Sequence, residues 1–156
     1  MRLSTPSPRA DVRRTDSPAG GRIEPALSDR PPSCSFVVPG PPVPKARPRR
    51  NARGVWYTPN RTRRYEEKVA WCARSTGLSA PLTGEVKLEI HLWLPDRRRR
   101  DIDNIAKSIA DGLNGIAWDD DHQVTQLVVS RAGVDRANPR AEIRLHALPP
   151  EAEVAI

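Results

Sequence analysis

The stretch "EVKLEIHLWL", residues 85–94, alternates strictly: Val86, Leu88, Ile90, Leu92 and Leu94 occupy one side of an extended chain, and Lys87, Glu89, His91 and Trp93 the other. Successive side chains of a strand point to opposite faces, so this segment is a strand with one apolar and one polar face. The apolar face needs a covering layer. Downstream, "DIDNIAKSIADGLNGIAW" (101–118) supplies one. Ile102, Ile105, Ile109, Leu113 and Ile116 fall in a single stripe at about 100° per residue, an amphipathic helix ending near Asn114–Gly115. Upstream, Tyr65, Val69, Cys72 and Thr76 recur at helical spacing between Thr58 and Gly77, with Thr58 as an expected cap and Pro59 in the first turn. The run "CSFVVPG" (34–40) reads as a first strand. "VTQLVVSRA" (124–132) and "RAEIRLHAL" (140–148) read as two more, joined by a turn at 133–139. The order β-α-β-α-β-β implies an α+β fold, a mixed sheet with two helices packed on one face.

Most of the 17 prolines precede residue 49, and residues 1–32 lack hydrophobic periodicity, so they read as a disordered Pro/Arg-rich arm. Residues 33–150 form one domain, and 151–156 are left as a C-terminal tail. In a chain of 156 residues there is no room for a second ordinary domain. The net charge of +7 and a pI near 10.2 point to a polyanion, with nucleic acid ahead of an anionic membrane surface. The N-terminus has no apolar h-region and no apolar run approaches 18 residues, so a cytoplasmic protein without a membrane partner is expected. Cys34 and Cys72 lack metal-ligand spacing and read as small buried hydrophobes.

The helix at 101–118 begins in an unusual setting. Four arginines (Arg97–Arg100) precede Asp101 and Asp103, Lys107 follows, and Asp119, Asp120 and Asp121 form a second acidic run. If the helix already includes residue 101, Asp101 and Asp103 point roughly 160–200° apart. If 101–103 are extended and the helix starts at Asp103, both carboxylates face one side and can share a cation. Three carboxylates within about 4 Å of one another repel by roughly 4 kcal/mol per pair at an effective dielectric near 20, so a bound cation or a basic neighbour is required. The donors are hard oxygens, which suits Mg²⁺ or Mn²⁺ and not zinc, and no small-molecule cofactor is implied. Such an ion can activate water and neutralise charge on a phosphodiester, while the Lys107 ammonium stabilises the same developing charge. The same residues also read as ordinary structure: Asp103 as an N-cap, Asp103 to Lys107 as an i,i+4 ion pair, and "WDDDHQ" as a solvated turn. His91, His122 and His146 are not expected to act in catalysis.

Between Lys45 and Arg64 the chain carries Lys45, Arg47, Arg49, Arg50, Arg53, Arg61, Arg63 and Arg64, no acidic residue, and the aromatics Trp56 and Tyr57. A basic run inside the domain with interleaved aromatics favours nucleic-acid contact over a merely solvated face. Lys45, Arg47, Arg49 and Arg50, with Arg97, Arg98, Arg99 and Arg100, are therefore the candidate DNA-binding residues. Arginines would draw in the phosphate backbone beside the carboxylates.

The segment "LPDRRRRDIDNIAKSIADGLNGIAWDDDHQV" (94–124) resembles the signature of the RusA family of Holliday-junction resolvases, and "FVVPGPPVPKARPR" and "YTPNRTRRYEEKV" resemble that family's N-terminal half. The likeness spans about 34–148. It implies a homodimeric, Mg²⁺-dependent endonuclease that nicks four-way DNA junctions symmetrically in recombination and repair, in a family common in phages and prophages. It also implies metal binding by Asp101, Asp103 and Asp121 and an essential role for Lys107. Asp120 matches a neighbouring acidic position, and Asp119 stands where the family has an apolar residue, which leaves the choice between Asp120 and Asp121 open. The competing reading is a non-catalytic module that binds branched or duplex DNA.

Overall fold

The computed structural model describes residues 33–150; the expected arm at 1–32 and the tail at 151–156 lie outside the described residues. Its elements in chain order are β1 (Cys34–Pro39), β2 (Arg49–Arg50), β3 (Trp56–Tyr57), α1 (Asn60–Arg74), β4 (Val86–Leu94), α2 (Ile102–Leu113), a 3-10 turn (Asp121–Gln123), β5 (Val124–Val134) and β6 (Arg140–Ala147). Four strands form a mixed sheet in the order β1-β6-β4-β5, and β2 and β3 form a separate hairpin. The fold is α+β, with two helices on a mixed sheet.

Strand β4 is central, antiparallel to β6 and parallel to β5. Its alternation translates directly into burial: Val86, Leu88, Ile90, Leu92 and Leu94 are wholly enclosed, and the residues between them are half-buried. A parallel neighbour requires a crossover, and α2 is that crossover. Ile105, Ile109 and Leu113 of α2 join Tyr65, Val69 and Cys72 of α1 and the inward residues of β4 and β6 in one core. The helices touch closely at Gly112. A Cβ there would lie 2.7 Å from the Glu66 carbonyl oxygen, so only glycine permits this approach.

The opposite sheet face is a lattice of polar contacts. Lys87 pairs with Glu89 at 2.6 Å, His91 Nδ1 lies 2.7 Å from Ser130 Oγ, and the Arg140 guanidinium lies 4.7 Å from the centre of the Trp93 ring. The Lys87 hydrogen bond holds the Glu89 carboxyl below its ordinary range against the opposing effect of burial. Both cysteines are free.

Three expectations change. The basic run between Lys45 and Arg64, in which no strand is expected, contains the hairpin β2–β3. Helix α1 starts one residue after Pro59, which occupies the cap position without a side-chain hydrogen bond, so Thr58 does not cap it. Thr76 lies beyond the helix and is exposed, and its hydroxyl donates instead to the Ala73 carbonyl at 2.7 Å.

Candidate active site

Helix α2 starts at Ile102, between the two alternatives open in the sequence, and Asp101 is its N-cap. Asp101 Oδ1 accepts from the Asp103 N–H at 3.1 Å, satisfying one of the backbone donors that a helix start leaves open, and Oδ2 accepts from the Asn104 side-chain Nδ2 at 2.9 Å. With the cap outside the helix and Asp103 inside it, the two carboxylates line different cavities. Asp101 borders a cleft of about 600 Å³, and Asp103 a smaller one of about 300 Å³.

The smaller cavity is framed by α2 and the start of β5. Asp103, Ala106, Lys107, Ala110 and Asp111 form one helical face at spacings of three and four; Asp121, Val124 and Leu127 close the other side, and Leu88 lies among the lining residues. The sheet topology thus brings Asp121 to the same cavity as Asp103 and Lys107. Its position has a clear cause: the indole N–H of Trp118, itself fully buried, donates to Asp121 Oδ1 at 3.0 Å. Asp120 serves differently. Its side chain caps the 3-10 turn, accepting from the His122 N–H at 3.1 Å and pairing with His122 Nδ1 at 2.7 Å, and those contacts hold its carboxyl below the usual range. Gln123 fixes the turn to the body of the protein: Oε1 accepts from the Asp119 and Asp120 N–H groups, and Nε2 donates to the Leu82 and Gly84 carbonyls.

Among the described residues, no three His, Cys, Asp or Glu side chains already converge as a metal site. Asp103 and Asp121 nevertheless provide a pair of hard-oxygen donors opening on one cavity, a donor set that fits a divalent cation. For Asp101 to join them, its side chain would have to exchange its cap hydrogen bonds.

The larger cleft is basic. Arg47, Arg61, Arg98, Arg99 and Arg100 line it together with Lys45 and Asp101. Arg100 is held by a bidentate pair with Asp96 at 2.6 and 2.9 Å. That hydrogen-bonded pair, with the Arg98 N–H, holds the Asp96 carboxyl down to about 2. Lys45 is bound within the protein, 2.6 Å from both Glu66 and Asp111. Burial alone would lower its pKa, but the hydrogen bonds to Asp111 and Glu66 outweigh that and raise it. It therefore ties the loop after β1 to both helices. Arg49 lines an adjoining recess of about 290 Å³. Arg50 belongs to the hairpin, and Arg97 is exposed beside the larger cleft.

A family model described as endodeoxyribonuclease RusA matches residues 39–146, which include both cavities and every strand of the main sheet at least in part. The chain belongs to the RusA family. It is therefore an endodeoxyribonuclease by kinship. Similar relatives include crossover junction endodeoxyribonuclease RusA of Escherichia coli strain K12, 34% identical over 103 residues covering 65% of this chain and 85% of that protein. The protein of the same name from Enterobacteria phage 82 is 34% identical over 102 residues, covering 65% and 84%. That of Shigella sonnei strain Ss046 is 33% identical over 103 residues. Against this RusA background, the W-x-D-D-x-Q-V segment at 118–124 acquires physical meaning: Trp118 aims one aspartate, Asp120 caps the turn and Gln123 anchors it. Trp118 and Gln123 lie within the segment that carries the family resemblance, but no role of their own is expected from sequence, because a buried tryptophan reads as core and a lone glutamine as surface. Their fixed spacing around the acidic run was the available signal.

Proposed function

We propose that this RusA-family chain resolves four-way DNA junctions by paired symmetric nicks, as a Mg²⁺-dependent homodimer acting in recombination and repair. The observation that carries the reading is the shared cavity of Asp103, Lys107 and Asp121, with α2 and its cap Asp101 between it and the arginine cleft. Arg98, Arg99 and Arg47 are suited to grip phosphates, which fixes the register of the backbone without reading its sequence. Asp101, Asp103 and Asp121 would hold the Mg²⁺. The ion would supply charge neutralisation at the scissile phosphate and acidify a water. Lys107 Nζ, on the same cavity wall, would stabilise the extra negative charge that develops on the phosphoryl oxygens. The Trp118 indole, donating to Asp121 Oδ1, orients that carboxylate for the ion.

A junction with two-fold symmetry calls for two equivalent sites, which an isologous dimer provides. Strand β5 supports pairing of subunits: it lies at the sheet edge, runs for 11 residues and exposes Leu127, Val128 and Val134.

The test uses the full chain and a synthetic four-way junction. Paired nicks that require Mg²⁺, lost in Asp103→Asn while junction binding persists, are the expected result. Tight binding with no cleavage under any divalent ion would instead favour the non-catalytic DNA-binding module.

A further inference from the structure

The hairpin β2–β3 takes no part in the core, yet it is the most aromatic exposed element of the domain. Val55, Trp56 and Tyr57 are 57%, 66% and 46% exposed. Their display is constructed. Asn51 Oδ1 accepts from the N–H groups of Arg53 and Val55 at 2.9 and 3.0 Å, and Arg50 Nε donates to the Gly54 carbonyl at 2.9 Å. Gly54 adopts φ +80°, a conformation that a side chain would strain. These bonds close the turn and leave the indole of Trp56 untethered.

The register places Trp56 opposite Arg50 and Tyr57 opposite Arg49, so each aromatic ring shares a hairpin face with an arginine. The hairpin also continues the basic surface. Arg49 lines the recess that shares Pro44, Lys45 and Arg61 with the arginine cleft.

We propose that Trp56, with Arg50 beside it, is a stacking platform for a base left unpaired at a DNA branch point. Every base offers a π-face, so stacking tolerates any sequence, and the neighbouring cation holds the adjoining phosphate. Bases inside a duplex are already stacked on one another and gain nothing from the indole. The platform therefore adds affinity for branched DNA selectively. This inference rests on the reading of the chain as a junction endonuclease.

The experiment compares binding of the full chain to a four-way junction carrying 2-aminopurine beside the branch point and to a linear duplex of the same length. Trp56→Ala should weaken junction binding about tenfold, leave duplex binding within about twofold, and abolish the 2-aminopurine quenching expected with the unaltered protein. Trp56→Phe should restore part of both effects. Trp71→Ala, which removes a tryptophan 68% exposed on α1 that lines neither the cleft nor the recess, should change nothing. Junction affinity and quenching unaltered in Trp56→Ala, or an equal loss for junction and duplex, would overturn the platform while leaving the nuclease reading intact. An unaltered protein that fails to bind the junction at all would overturn the junction reading and the platform together.

Discussion

Trp118 carries two duties that separate cleanly by substitution. The ring fills the core, and its one polar atom directs Asp121. Trp118→Phe keeps most of the apolar contact and removes the donor. We expect junction cleavage to slow at least about tenfold, since small displacements of a reacting group are costly. Binding should stay within about twofold, and stability should fall by about 1–3 kcal/mol. Cleavage at the original rate would show that the indole does not position Asp121. Asp96 makes a different kind of prediction. Its folded-state carboxyl titrates near 2, below the ordinary value of 3.8, because Arg100 and the Arg98 N–H favour the charged form. A depressed carboxyl contributes stability above its unfolded pKa and loses it as pH falls toward the folded one. Urea unfolding of Asp96→Asn should therefore show a lower midpoint than the unaltered protein at pH 7, a gap that narrows below about 4 and closes near 2. A gap independent of pH would contradict the assignment.

Element by element, legibility followed periodicity. The two-residue period of 86–94 and the helical stripe of 102–113 are long and regular, so β4 and α2 could be read from the chain alone. The hairpin escaped because each of its strands has only two residues, too few for any period, although Asn51 and Gly54 are turn residues in plain view. The start of α2 was ambiguous for a physical reason: Asp101 and Asp103 are both good caps, and which one caps is decided by backbone geometry at 101. The contact between α1 and α2 could not be read either, since Gly112 in a helical stripe resembles a mere defect. Gly112→Ala tests it. Alanine is the better helix former by about 1 kcal/mol, but its Cβ meets backbone at Glu66 and the Val69 side chain. We expect a net loss of about 1–3 kcal/mol and a lowered Tm. An unchanged or raised Tm would mean that the helices can move apart freely.

For the molecule as a whole, the basic character of the chain is legible in its charge of +7, and the resemblance supplied the activity class that charge alone could not. What no local pattern contained was the meeting of α2 with the start of β5, because it depends on a parallel crossover through the sheet. If two copies act together on a symmetric junction, sedimentation equilibrium at cleavage concentrations should give about twice the chain mass of 17.4 kDa; a monomer that still makes paired nicks would contradict the dimer. The most direct measurement of the account's central claim is a double-mutant cycle on Asp103 and Asp121, read as the single-turnover rate of junction nicking. Groups that serve one site are strongly non-additive. Asp103→Asn and Asp121→Asn should each reduce the rate by at least about a hundredfold with binding retained, and the double variant should be little worse than the more damaged single one. Independent, multiplying losses, or full activity in either single variant, would contradict a shared site.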